Sequence, residues 1–331
     1  MTARDAALAI EGLTKRYRGR AGKPVEALKG IDLAVPRGAF FGLLGPNGAG
    51  KSTLINILAG LTRKTAGRVA ICGHDIDREM RKARLSIGVV PQELVLDPFF
   101  PAAEALEVQA GLYGVPRAAR RTAELLAAVG LTAQANTYAR QLSGGMRRRL
   151  MVAKALVHSP PVVVLDEPTA GVDVELRQQL WDYMRRLNEG GTTVVLTTHY
   201  LEEAEALCDR IAIIDKGSVI AAEPTEALLA RIDQKALAIV AASDLDAVPA
   251  SLARFEARLN GPRQLSLQYR RSQTGIAEVL DAVRAAGIEI ADLSTQEGAL
   301  EDVFLQLIRG GEGGGGPGIA AARGGRRRGV R

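Results

Sequence analysis

Residues 45–53 read GPNGAGKST: a glycine, four variable residues, a second glycine, a lysine and two hydroxyl residues. This spacing makes a phosphate cradle when a strand runs into it and a helix leaves it. Gly45, Pro46, Asn47, Gly48, Ala49 and Gly50 bend the chain so that backbone N–H groups close on phosphate oxygens. The helix that opens at Lys51 adds the partial positive charge of its N-terminus. Lys51 is expected to reach the β- and γ-phosphates, and the Ser52 hydroxyl, next to Thr53, to ligate Mg²⁺.

A second run, PPVVVLDEP, brings two acids to the end of an apolar stretch, Asp166 and Glu167. In an open α/β sheet the carboxyl ends of strands face the ligand. Asp166 is placed to hold Mg²⁺ through water, and Glu167 to orient and deprotonate a water beside the γ-phosphate. A third run, QLSGGMRRRL, starts a helix on two glycines. Ser143 and the N–H groups of Gly144 and Gly145 make an anion-binding helix start, and the glycines let a phosphate approach the backbone. Arg147, Arg148 and Arg149 read as a solvated face and not as a nucleic-acid patch.

The elements that must hold these residues are legible as short β-branched runs. LSIGVV, PVVVLD, TTVVLTTH and RIAIID suit strands of a parallel sheet, and AFFGLLG leads into the phosphate loop. LAIEGL and VEALKGIDLAV read as antiparallel strands that open the chain. From Pro91 to Gln141 the pattern is helical. A boundary falls near residue 232. Beyond it LSLQYR alternates as a half-buried strand. Ile276, Val279, Leu280 and Val283 make one helix stripe, and Leu300, Val303, Phe304, Leu307 and Ile308 another. From Gly310 the chain is rich in Gly, Arg and Ala with no apolar period, and is expected to be disordered.

Composition narrows the class. At 331 residues there is room for roughly two domains of ~150 residues, and the 47% apolar content fills a large core. The net charge of +6 is not a binding face: residues 309–331 hold six Arg and one Glu, which leaves 37 basic and 36 acidic side chains in the rest. Cys72 and Cys208 are far apart, so neither a disulfide framework nor a zinc cluster is expected, and each reads as a buried thiol. His74 and His158 read as structural. No run of 18 apolar residues is present and the start does not read as a secretory leader, so the product is expected to stay in the cytoplasm.

GPNGAGKST, LSGGM, VVVLDEPTAGVD and TTHYLEEAE, in this order, resemble an ABC-type ATPase subunit over about residues 6–232. The resemblance implies an α/β P-loop NTPase core with an antiparallel β-subdomain and a helical subdomain (about 92–157). A small α+β accessory domain (233–309) and the 310–331 tail follow. It also implies ATP and Mg²⁺ as ligands, and a head-to-tail homodimer in which Ser143, Gly144 and Gly145 complete the partner copy's nucleotide site. By the same resemblance Gln92 senses the metal and the lytic water, His199 meets the γ-phosphate, Asp173 speaks across the dimer, and Tyr17 stacks on adenine.

The chain has one phosphate loop, no coiled coil and no zinc cysteines, which suits a transporter subunit. LSGGMRRRL, DEPTAGVD and the closing GALEDVFLQLI resemble the ABC-2-type exporter ATPases, the drug-resistance and nodulation group. That implies a separate ABC-2-type membrane permease as partner, no nucleic acid, and a place on the cytoplasmic face of the inner or plasma membrane. The alternative is a soluble ABC ATPase acting on the ribosome or on nucleic acid.

Overall fold

The computed structural model describes residues 6–19, 23–169, 174–198, 200–230, 234–270 and 273–296, together with Phe304 and Leu307. The chain opens with two long strands, β1 (Ala6–Arg18) and β2 (Pro24–Pro36), then β3 (Phe40–Leu44), α1 (Lys51–Leu58), β4 (Ala66–Ile71), β5 (His74–Asp75), α2 (Met80–Leu85) and β6 (Ile87–Val90). A helical excursion follows: α3 (Ala102–Leu112), α4 (Thr122–Ala128) and α5 (Gly144–Ala155). The chain then returns through β7 (Val162–Asp166), α6 (Val174–Glu189), β8 (Thr193–Thr197), α7 (Leu201–Leu207), β9 (Arg210–Asp215), β10 (Ser218–Pro224) and α8 (Thr225–Leu229). The last described unit is β11 (Gln234–Ala241), β12 (Arg258–Gly261), β13 (Gln264–Arg270), α9 (Ile276–Ala285) and β14 (Ile290–Gln296).

Three sheets result. The central one runs β10-β9-β3-β8-β7-β6 and is parallel except for the β9/β10 pair. β3, β7 and β8 are buried at every position, because helices or the second sheet cover both of their faces. Alternate side chains serve different cores. Val163 and Leu165 of β7 join the cluster that contains Leu106, Leu125 and Leu150 of the helical excursion. Val162 and Val164 join the cluster under α1 and the antiparallel sheet β2-β1-β4-β5. The helical excursion therefore has no separate core: it shares one continuous apolar cluster with a face of the central sheet.

The third sheet, β12-β13-β11-β14, is antiparallel and packs α9 through Val279 and Val283 onto Leu237, Ile239, Leu265 and Leu267. The expected second stripe behaves differently. Phe304 and Leu307 pack against the central-sheet cluster, and among the described residues they are not part of the cluster under α9. Leu300, Val303, Ile308 and the 310–331 tail lie outside the described residues. Of the two cysteines only Cys208 is buried, and burial pushes its thiol pKa up; Cys72 is only partly covered. Among the described residues no helix is long and apolar enough to cross a membrane.

Candidate active site

Four neighbouring strands deliver the site. β3 runs into the phosphate loop, β8 into Thr198, β7 into Glu167 and β6 into Pro91 and Gln92, and they lie side by side in the order β3-β8-β7-β6. All four are parallel, so their carboxyl ends share one edge.

Gly50 closes the loop as N-cap of α1 with φ 111°, a conformation that strains any L side chain. A Cβ there would stand 2.8 Å from the Ala27 carbonyl oxygen of β2, so the hairpin backs the loop directly. Lys51 is 6% exposed, and its Nζ donates to the carbonyls of Gly45 (2.5 Å) and Pro46 (3.2 Å). Burial lowers its pKa, and the nearby carboxylates of Glu167 and Asp166 oppose that fall. Phosphate oxygens offer the ammonium stronger, charged acceptors than these two carbonyls.

Asp166 ends β7 and is buried. Its Oδ1 accepts the Thr197 hydroxyl at 2.5 Å, and its carboxylate also hydrogen-bonds Ser52. Burial raises its pKa and the neighbouring Glu167 adds to the rise, while the Thr197 and Ser52 hydrogen bonds and Lys51 work against it. Glu167 leaves the strand in the left-handed region, φ 48°. That conformation costs about 1–2 kcal/mol. It is held by the Glu167 amide, which donates to the Thr197 carbonyl at 3.0 Å and hydroxyl at 3.1 Å. The turn brings two consecutive carboxylates to one place, where a continued strand would point them apart. Glu167 Oε2 accepts the Gln92 amide at 3.1 Å.

Between these groups lies a pocket of about 260 Å³, lined by Gly45, Pro46, Asn47, Gln92, Glu167, Thr198, Leu201 and Phe304. The structure thus gathers the phosphate loop, Ser52, Asp166, Glu167 and Gln92. His199 and Asp173 lie outside the described residues. Tyr17 stands on β1 opposite Val25, 39% exposed, with Lys15 Nζ 4.6 Å from its ring centroid. Ser143, Gly144 and Gly145 line no part of this pocket. Ser143 caps α5 by accepting the Met146 amide at 3.2 Å, and both Ser143 and Gly144 are exposed.

Four residues of the site were not anticipated. Thr197 anchors both acids. Arg148, expected on a solvated face, is 6% exposed and donates to the carbonyls of Pro91 (2.9 Å) and Gln92 (2.7 Å). Its signal was positional: residues 148, 151, 152 and 155 form one helical stripe, and Arg148, Met151, Val152 and Ala155 are all buried. Glu203 is fully buried, and its Oε1 accepts the Thr169 hydroxyl (2.6 Å) and the Trp181 indole N–H (2.7 Å). It shares a helix face with Leu207, the same kind of signal. Phe304 reaches the pocket from far along the chain, and no local pattern foretells that. His74 faces Glu79, and His158 stacks on Tyr113 with centroids 3.8 Å apart, in line with structural roles.

A family profile described as ABC transporter matches residues 28–170. The daunorubicin resistance ATP-binding protein DrrA3 of Streptomyces coeruleorubidus is 41% identical, over 92% of this chain and 96% of that protein. The Nod factor export ATP-binding protein I of Ralstonia nicotianae is 38% identical over 91% and 93%. A solved dimer of the ATP-binding cassette MJ0796, in a post-hydrolysis state with ADP and Pi, superposes with a TM-score of 0.61 at 31% identity, covering 66% of this chain and 98% of that one. A phosphate loop edged by paired carboxylates, on a fold and sequence shared with these proteins along nearly their whole length, shows that the chain belongs to the ABC transporter family and is one of its ATP-binding, ATP-hydrolysing subunits.

Proposed function

We propose that two copies of this chain close head to tail over two ATP molecules and drive a separate ABC-2-type permease in export, from the cytoplasmic face of the membrane. The observation that carries the dimer is Gly144. Its backbone needs no positive φ, and a Cβ added there would meet nothing within 4 Å. Among the described residues nothing requires this glycine, yet it opens a capped, exposed helix start that suits an anion brought by a second copy. Export draws on the relatives, which are named for drug resistance and Nod factor export, and whose similarity runs past the cassette into the C-terminal unit.

In this reading Lys51 leaves the Gly45 and Pro46 carbonyls for the β- and γ-phosphates. Ser52, Asp166 and Gln92 offer hard oxygen donors that suit Mg²⁺, which when bound neutralises phosphate charge. Glu167 takes the proton of the attacking water while Gln92 fixes the direction of its carboxylate. His199 contacts the γ-phosphate, Asp173 the partner copy, and Tyr17 the adenine. Loss of the γ-phosphate removes the ligand that both copies hold, and the sandwich reopens; the drive is the differential affinity of ATP for the closed state.

The permease has a seat in this reading. A groove of about 420 Å³ lies between the end of α1 and the helical excursion, lined by Leu61, Val95, Tyr113, Met151, Lys154 and Asp166 among others. Leu61 and Val95 are exposed apolar side chains at its rim, an expected feature of a surface that takes a protein segment.

The test is Ser143→Arg. ATP binding is expected to stay within about twofold while turnover is lost, since the arginine blocks only the composite site. Normal turnover would sink the dimer. Affinity purification of Glu167→Gln with ATP from native membranes should bring down a polytopic membrane protein; ribosomal partners in its place would remove the export reading.

A further inference from the structure

We propose that Arg148 is a positioning residue that couples the two nucleotide sites of the dimer, by locking the helix start offered to the partner copy onto the loop that holds this copy's own Gln92. The inference rests on the head-to-tail reading above and goes beyond it, because it assigns a physical link between the sites.

Each step of the link is a contact in the structure. Ser143 caps α5, and Arg148 lies on the same helix, five residues on. The Arg148 guanidinium forks onto two successive carbonyls, Pro91 O at 2.9 Å and Gln92 O at 2.7 Å. A planar fork fixes the orientation of that peptide, which a lysine with one point charge would not. The Gln92 side chain then donates to Glu167 Oε2 at 3.1 Å. The far end of α5 is pinned as well. A Cβ at Gly88 of β6 would stand 2.3 Å from the Ala155 carbonyl oxygen, so helix and strand touch backbone to backbone. A helix clamped at its end and forked at its middle moves as a rigid piece. A displacement at Ser143 is therefore passed to residues 91 and 92.

The other two arginines of the triplet do not share this work. Arg149 donates to the carbonyls of Val129 and Gly130 at the end of α4. Arg147 is half-buried, and its Nε has no hydrogen-bond partner among the described residues. Burial lowers the Arg148 pKa, and Asp166 and Glu167 oppose that, which places the guanidinium within the field of both site carboxylates. With ATP seated against the partner's Ser143–Gly145 helix start, the partner's α5 is held. Through its Arg148 the partner's Gln92 and Glu167 are then held in their working geometry. Occupancy of one site thus prepares the other.

The decisive experiment is a double-mutant cycle on the full chain: Arg148→Met, Gln92→Ala and the pair, with ATPase rate measured against ATP concentration and folding checked by thermal melts. Arg148→Met is expected to lower kcat roughly 10–100-fold, the range for residues that orient a catalytic group, with little change in KM and a loss of positive cooperativity. In the Gln92→Ala background it should add nothing, because Arg148 acts through Gln92. Arg148→Lys should restore part of the rate. Multiplicative losses in the two backgrounds, or unchanged kcat and cooperativity in folded Arg148→Met, would overturn the proposal. If the methionine variant does not fold, the same cycle run with Arg148→Lys is read in the same way. Glu167→Gln with ATP is sized in parallel. A monomer there removes the head-to-tail reading and this proposal together, whereas a dimer with multiplicative losses removes this proposal alone.

Discussion

The amide of Gln92 and the carboxylate of Glu167, 75 positions apart in the chain, meet at 3.1 Å across the ends of two adjacent strands. The acid is thereby aimed, since its backbone is fixed by Thr197 and its side chain by Gln92. Glu167→Gln should lose turnover about 10²–10⁴-fold, as for removal of a general base, and accumulate with ATP bound. Gln92→Ala should cost about 10–100-fold while ATP still binds. Single-turnover kinetics separate the two: rapid hydrolysis by Glu167→Gln would remove it from the base role.

Among the described residues the partners of the buried Lys51 cation are loop carbonyls and two nearby acids. Lys51→Met should therefore leave the nucleotide-free protein no more stable than the parent, because relief from burying the cation is offset by the loss of its attraction to Asp166 and Glu167. Its effect should appear with ligand. The parent gains about 2.7 kcal/mol at 100 Kd of ATP, and the variant should gain none. Thermal shift with and without ATP checks both halves.

Glu203 ties together the loop after Glu167, through Thr169, and helix α6, through Trp181, while its Oε2 has no partner among the described residues. Glu203→Ala strands one buried and one partly buried donor and should cost about 2–4 kcal/mol, at roughly 1–2 kcal/mol for each. Glu203→Gln keeps an acceptor for both and should stay within about 1 kcal/mol of the parent. Urea denaturation of the two variants tests this, and equal losses would contradict the assigned acceptor role.

His158 is a built-in acid sensitivity. Its Nε2 lies 3.1 Å from the Ile87 carbonyl, which can only accept, so Nε2 carries the proton of the neutral ring, and Nδ1 is buried without a partner among the described residues. Burial lowers its pKa below the ordinary 6.5, with the Ile87 bond opposing. A group whose pKa falls on folding gives stability that is full above its unfolded value and is lost as pH falls through that value toward the folded one. The parent should thus weaken below pH 6.5 more steeply than His158→Phe, which keeps the stack on Tyr113 and cannot titrate. Parallel slopes for the two proteins between about pH 7 and 5 would exclude His158 as the cause.

The parts of the site that sequence made legible are those whose chemistry is local. The phosphate loop needs its glycines at fixed offsets, and Asp166 and Glu167 announce themselves by ending a β-branched run. The strands of the central sheet read clearly because burial on both faces leaves continuous apolar stretches. What escaped depends on distance. An arginine triplet reads as solvated until the phase of α5 shows that only Arg148 faces inward. Glu203 is one of two adjacent acids, and the packing of α7 alone decides which is buried. Phe304 belongs by sequence to the C-terminal stripe, yet it lines a pocket built from residues 44–47, 92 and 167; no short-range pattern encodes that return.

β6 and β7 are hydrogen-bonded neighbours, from Ile87 opposite Val162 to Val90 opposite Leu165, although the whole run from α3 to α5 separates them in the chain. Because the two strands are parallel, the excursion leaves the sheet at the carboxyl edge after Val90 and returns at the amino edge at Val162, and the ladder between them holds the strand ends that carry Gln92, Asp166 and Glu167. Selection can rewrite its surface to fit a new membrane partner while the reaction centre is inherited unchanged. Variation there is free except at the Ser143–Gly145 helix start and where a side chain reaches back across the seam, and at that seam stands Arg148.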